Sequence, residues 1–151
     1  MPTALIIGAS RGIGLELVRQ YVADGWRVMH TNVMGAMMVI PQVAPMVEAA
    51  DGVFACLSSV MGSLQGTRSS DAALYRISKA ALNMVVRTSQ PEYPRARMVA
   101  MHPGWVQTEM GGANATLTAE QAVTRMRQTL AHIRPEHAGQ FLSYDGSTIT
   151  W

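Results

Sequence analysis

Two residues near the middle of the chain, Tyr75 and Lys79, stand four positions apart in the stretch Tyr75-Arg76-Ile77-Ser78-Lys79. On a helix that spacing puts a phenol and an ammonium on one face. A cation beside a phenol favours the phenolate, and a phenol so tuned can pass a proton to or from a carbonyl or alcohol oxygen. Lys79 is the only lysine among 12 basic residues. A compact ammonium is not replaced by a planar guanidinium, although an arginine-biased chain with one leftover lysine reads the same way. Upstream, Leu57-Ser58-Ser59-Val60-Met61-Gly62 places two serines just past an apolar run. In open α/β sheets ligands bind at the C-terminal strand edge, where a hydroxyl can stabilise charge developing on a carbonyl oxygen. The same serine also serves as a loop cap.

A third group lies near the N-terminus, in Gly8-Ala9-Ser10-Arg11-Gly12-Ile13-Gly14. Glycines allow a tight turn and let the backbone approach a pyrophosphate, while a following helix offers free N–H groups and a favourable dipole. Taken alone, the spacing also describes any glycine-rich strand–helix turn. No Asp or Glu occurs between Asp24 and Glu48, where an acidic residue would meet the ribose hydroxyls of NAD. Ser10 and Arg11 suit a 2′-phosphate instead, which favours NADP(H) over NAD(H); the alternative for Arg11 is a solvated side chain.

These residues need strands and helices to hold them. Residues 3–7 form an apolar, β-branched run ending at Gly8, which predicts a buried strand. Ile13, Leu17, Val18, Tyr21 and Val22 repeat at helical spacing over 12–23, and Asp24-Gly25 closes that helix. Residues 26–29 fit a short strand. The stretch 32–50 is apolar nearly all round, which predicts a helix buried on two sides, in a core or against a second subunit. Pro41 and Pro45 should bend it or split it in two. A strand over 52–57, a loop over 58–71, a helix over 72–90 and a strand over 97–101 follow, the last broken by Pro103-Gly104. Thr118 and Gln121 form a capping-box pattern opening a helix to about Ile133. A last strand begins at 141–143, before the turn Asp145-Gly146. Strands alternating with helices predict an α/β fold with a mostly parallel sheet.

The chain has 151 residues, 48% of them hydrophobic and 15% charged, with a formal charge of +2. This composition is globular and fits one domain over 1–151. No block of like charges points to nucleic acid. The most apolar stretch, 33–47, holds Gly35, Pro41 and Pro45 and is too short to span a bilayer. The N-terminus has no secretory pattern, and the single cysteine, Cys56, cannot form an internal disulfide, so a reduced, cytoplasmic setting is expected. His30, His102, His132 and His137 lack metal-ligand spacing, so no metal is expected.

Taken together, Gly8…Gly12-Ile13-Gly14, Ser58-Ser59, Tyr75-x-x-x-Lys79 and Pro103-Gly104-Trp105-Val106-Gln107-Thr108 resemble the short-chain dehydrogenase/reductase family. Met110-Gly111-Gly112 and Tyr144-Asp145-Gly146…Trp151 resemble its C-factor/sniffer-type carbonyl reductase branch. The resemblance implies a reduced Rossmann-like, doubly wound sheet of four to five strands with helices on both faces. It implies Tyr75 as general acid/base, with Lys79 favouring its phenolate and binding the nicotinamide ribose. Ser59, the second serine of the pair, would orient the substrate carbonyl. Asn32 would support a water relay to the lysine, although a helix N-cap is the alternative. Gly8, Ser10, Arg11, Gly12, Ile13 and Gly14 would seat the phosphates. Pro103, Gly104, Val106 and Thr108 would hold the nicotinamide amide. The substrate would be a small carbonyl compound, and the 33–47 helix would pack between subunits of a homodimer or homotetramer.

The sequence departs from that family in one respect. It matches through Gly25-Trp26-Arg27-Val28, and the next residues, Met29-His30-Thr31-Asn32, match the start of a much later helix. The intervening segment, with its Asn-Asn-Ala-Gly strand, is absent. That segment builds the adenine side of the cofactor pocket and a central strand. Either strands 3–7 and 52–57 pair directly, or 26–29 fills the gap. Two functions compete: an NADP(H)-dependent carbonyl reductase, or a non-catalytic remnant acting as an oligomeric scaffold or regulatory partner. A shortened chain of engineered or aberrant origin reads identically.

Overall fold

The computed structural model describes residues 27–151. The strand over 3–7, the glycine loop and the helix over 12–23 lie outside the described residues.

A long first helix, α1, runs over 27–49 in three stretches: α-helical Arg27–Met29, π-helical His30–Met34 and α-helical Gly35–Ala49. Two expectations are corrected here. Residues 27–29 are helical, so they do not supply the missing central strand. The helix also continues through both prolines. Pro41 and Pro45 are one turn apart on the exposed face, so the carbonyls left without N–H partners by the two rings also turn toward solvent. Only Ile40 and Ala44 of this stretch are buried, while Met37, Met38, Val39 and Met46 are exposed. Within one chain, α1 is therefore buried along a single stripe.

Strand β1 (Val53–Leu57) follows, then helix α2 (Ala73–Ser89), β2 (Arg97–His102), α3 (Ala119–Ala131) and β3 (Gln140–Ser143). The described strands form one parallel sheet in the order β1-β2-β3, with Ala55 opposite Val99 and Ala100 opposite Phe141. The fold is α/β, with three strands among the described residues against the four to five expected. The pleat sorts the core into two layers. Met98, Ala100 and Phe141 pack with Ile40 and Ala44 of α1 and Val86 of α2. Val99 and Leu142 point to the other face and meet Ile133 beyond α3. The start of α3 is as its sequence reads: Thr118 Oγ1 accepts from the Gln121 N–H at 3.2 Å, and Gln121 Oε1 accepts from the Thr118 N–H at 3.0 Å. All three strands run parallel, so their C-terminal ends share one edge, and the loops bearing Ser58, Ser59 and Pro103–Thr108 leave from that edge.

Candidate active site

Helix α2 carries Tyr75, Lys79 and Asn83 at successive turns of one face. The face is buried toward its middle: Lys79 is 8% exposed, Ser78 0% and Asn83 2%. A lysine so enclosed needs acceptors. Lys79 Nζ donates to the Leu57 carbonyl oxygen at 2.8 Å and lies 3.5 Å from Asn32 Oδ1. The ammonium also sits 5.7 Å from the centroid of the Tyr75 ring. Burial lowers its proton affinity relative to ordinary lysine.

Asn32 reaches this cluster from the π-helical segment of α1, where the Gly35 N–H returns to the His30 carbonyl. It does not cap a helix, so that alternative is excluded. The extra residue in a π turn rotates the side chains that follow, and such turns recur at functional sites. Asn32 Nδ2 donates to Ser78 Oγ at 3.0 Å, and Ser78 Oγ donates to the Tyr75 carbonyl at 2.8 Å. Asn32 thus touches Lys79 directly and the Tyr75 backbone through one hydroxyl.

The two serines are separated by their partners. Ser58 Oγ is buried and donates to Asn83 Oδ1 at 2.5 Å. Ser59 caps the 3-10 turn Val60–Gly62, its Oγ accepting from the Met61 N–H at 3.2 Å. As an acceptor there, the Ser59 hydroxyl keeps its own proton to donate. The turn lies directly on α2: a Cβ on Gly62 would come within 2.8 Å of the Lys79 backbone. Only glycine permits that approach.

Beyond β2 the chain forms a wall through Pro103, Gly104, Trp105, Val106 and Thr108. Gly104 has φ +87°, and a Cβ there would strike Leu117 at 2.6 Å and the Tyr144 ring at 2.9 Å. Trp105 Nε1 donates to the Gly111 carbonyl at 2.8 Å, and Thr108 Oγ1 accepts from the Gly111 N–H at 3.0 Å. This wall, Ser58, Ser59 and Tyr75 enclose a cavity of about 540 Å³, lined further by Met61, Met110, Met126 and Val123. Leu64, three residues after Met61, lies outside it and is exposed. Cys56 of β1 does not enter the cavity; burial pushes its thiol up to about 11, with the Lys79 charge opposing.

Three participants are not singled out by sequence reasoning as partners in the site: Ser78, Asn83 and His102. Asn83 falls four positions after Lys79 and eight after Tyr75, which continues the same helical face, and that signal was available. His102 closes β2 beside Pro103. Its Nδ1 is buried with no hydrogen-bond partner among the described residues, and burial lowers its proton affinity, the nearby Asp145 opposing. A cavity lined by a phenol, a free hydroxyl and the backbone of residues 103–108 fits a polar planar group such as the carboxamide end of a nicotinamide. Its size also falls in the range of small-molecule sites. Among the described residues no group of three potential ligands comes together for a metal, and no helix is long and apolar enough to cross a membrane.

Residues 26–119 match the family model for short chain dehydrogenases. The chain is 39% identical over 132 residues to C-signal of Myxococcus xanthus, covering 85% of this chain and 80% of that protein. It resembles the solved carbonyl reductase Sniffer of D. melanogaster with a TM-score of 0.79 and 28% identity, over 99% of this chain and 62% of that one. The NADPH-bound carbonyl reductase from chicken fatty liver gives a TM-score of 0.78 and 29% identity, over 98% of this chain and 64% of that one. The chain therefore spans under two-thirds of either solved relative, which fits the loss of an interior segment. By its matched sequence, its parallel sheet and the residues gathered at the sheet's C-terminal edge, this chain belongs to the short-chain dehydrogenase family of oxidoreductases.

Proposed function

We propose that the chain is an NADP(H)-dependent carbonyl reductase acting on a small carbonyl compound. The observation that carries this reading is the arrangement of Tyr75 and Ser59 on one 540 Å³ cavity, with Lys79 behind the phenol. A carbonyl oxygen placed between them accepts the Ser59 hydroxyl proton as a hydrogen bond and receives the Tyr75 proton outright. The Lys79 ammonium favours the phenolate that remains. Its acceptors, the Leu57 carbonyl and Asn32 Oδ1, hold the ammonium in place. Asn32 and Ser78 connect that ammonium to the backbone of Tyr75, which fixes the turn of helix that presents the phenol.

When bound, a reduced nicotinamide cofactor supplies the hydride. Lys79, Pro103, Gly104, Val106 and Thr108 would hold its nicotinamide end. Gly8, Ser10, Arg11, Gly12, Ile13 and Gly14 would hold the phosphates, with Ser10 and Arg11 favouring NADP(H). The NADPH-bound chicken liver relative supports that preference. The exposed methionines of α1 support association into a homodimer or larger homo-oligomer, and the lone cysteine supports a cytoplasmic setting.

The test is NADPH titration of the purified chain by calorimetry, with turnover followed on a carbonyl panel. The expected result is micromolar binding, and turnover that falls by about 10²-fold or more in Tyr75→Phe. Turnover insensitive to that substitution would overturn the assignment of Tyr75. Absence of NADPH binding would overturn the enzyme reading and favour the competing one, an oligomeric scaffold or regulatory partner, for which the missing interior segment is the motivating observation.

A further inference from the structure

Helix α3 separates two cavities. One side of it, through Ala119, Ala122, Val123 and Met126, lines the cavity just described. The other side, through Arg125, Gln128, Thr129 and His132, lines a second and larger cavity of about 750 Å³, closed by Arg134, His137, Tyr144 and Asp145. We propose that this second cavity binds a small organic anion, a phosphate- or carboxylate-bearing molecule, independently of the cofactor.

The donor set carries the proposal. Arg125 lies over the Tyr144 ring at 5.5 Å, which holds its guanidinium at the cavity without a carboxylate partner among the described residues. Arg134 gives only its Nε to Glu136, at 2.8 Å. The hydrogen bonds also assign the imidazole tautomers. His137 Nδ1 accepts from the Arg134 N–H at 2.9 Å, so its proton is on Nε2 and available to a ligand. His132 Nδ1 faces the Gln128 carbonyl at 2.7 Å and donates to it, so its Nε2 is an acceptor and His132 is not one of the donors. Asp145, the one carboxylate among the lining residues, is turned into its own loop, with Oδ1 accepting from Ser147 N–H and O–H at 3.1 and 2.6 Å. Arg125 thus lines the cavity with its charge uncompensated among the described residues, while Arg134 shares its charge with Glu136 and keeps its terminal nitrogens as donors. Guanidinium forks match phosphate and carboxylate oxygens in charge and geometry. The lining also includes Ile133 and Leu142, both buried apolar residues, which suits an organic body rather than a bare ion.

The two cavities share a partition. The Tyr144 ring beneath Arg125 is the same ring that a side chain on Gly104 would strike from the catalytic side.

The probe is inorganic phosphate, titrated into the cofactor-free chain by calorimetry. The glycine loop is a second anion candidate, so each variant is measured beside Arg11→Ala. The expected result is binding that survives Arg11→Ala and weakens by about tenfold or more in Arg125→Gln. Val123→Ala, on the opposite side of the same helix, should leave it unchanged. Binding that is lost in Arg11→Ala and kept in Arg125→Gln overturns the proposal, as does no binding at all. Neither outcome bears on the carbonyl reductase reading, since no cofactor or carbonyl is present.

Discussion

The Lys79 ammonium donates to the Leu57 carbonyl oxygen at 2.8 Å, bolting α2 to the C-terminal end of β1. The bond joins the lysine that lies over the Tyr75 ring to the strand that delivers the serines. The same ammonium is desolvated, and burial lowers its proton affinity. Two effects thus oppose each other: hydrogen bonds to the Leu57 carbonyl and Asn32, and the penalty of keeping a charge out of water.

That balance predicts the behaviour of Lys79→Met. Loss of a desolvated charge offsets the unmet carbonyl, so unfolding free energy in urea should change by no more than about 1–2 kcal/mol at pH 7. Turnover should fall by about 10²-fold or more, because no cation then favours the Tyr75 phenolate. In the folded chain Lys79 binds its proton less well than the ordinary lysine value of 10.5, so the unfolded chain holds more protons just below that pH. The wild type should therefore gain stability relative to Lys79→Met as pH rises through that window. A large loss of stability at pH 7 with turnover intact would make Lys79 a structural residue.

The neighbouring serines should separate by role. Ser58→Ala strips a buried amide oxygen, Asn83 Oδ1, of its donor. It should lower stability by about 1–3 kcal/mol and leave turnover within a few-fold. Ser59→Ala removes a hydroxyl that only caps a short turn. Its stability loss should be smaller, while kcat drops by about 10²-fold. Urea melts and steady-state kinetics on both variants decide it; the reverse pattern would move the carbonyl-orienting role to Ser58.

Much of this geometry is legible in the sequence where the interaction is local. The spacing of Tyr75 and Lys79 fixes one helical face, and Thr118 with Gln121 fixes a helix start, because both pairs close within a turn. What Lys79 donates to is not legible from local spacing: Leu57 lies 22 positions upstream, and Asn32, 47 upstream, is linked to the lysine only through the family resemblance. Only the packing of α1 and β1 against α2 brings those acceptors in. The strand expected over 26–29 fails for a related reason. Val28 and Met29 suit either a strand or a helix, and continuity with the long helix that follows decides for helix. The prolines of α1 do not split it, because both lie on the exposed face, where water can take the place of the lost N–H donors.

His102 sets an acid limit on the fold. Burial lowers its proton affinity below the ordinary histidine value of 6.5, with Asp145 opposing only in part. Below pH 6.5 the unfolded chain therefore binds a proton that the folded chain resists. The contribution of His102 to stability is present above that pH and lost as pH falls toward its folded value. Melting temperature should decline below pH 6.5 in the wild type, and less steeply in His102→Asn. Parallel declines in the two proteins would assign the acid sensitivity to another group.

Cys56 offers a check on the burial of β1 that needs no turnover. Desolvation pushes its thiol from 9.0 up to about 11, even with the Lys79 charge nearby favouring the thiolate. Thiolate is the reactive form, so at pH 8 the reactive fraction is roughly a hundredfold below that of a free thiol. Iodoacetamide should label the native chain at least about a hundredfold more slowly than the chain in urea, where the desolvation is gone. Lys79→Met removes the one charge that favours the thiolate, so it should slow native labelling further. Native labelling at the unfolded rate would mean that β1 opens to solvent and that the Leu57 carbonyl is not held against Lys79.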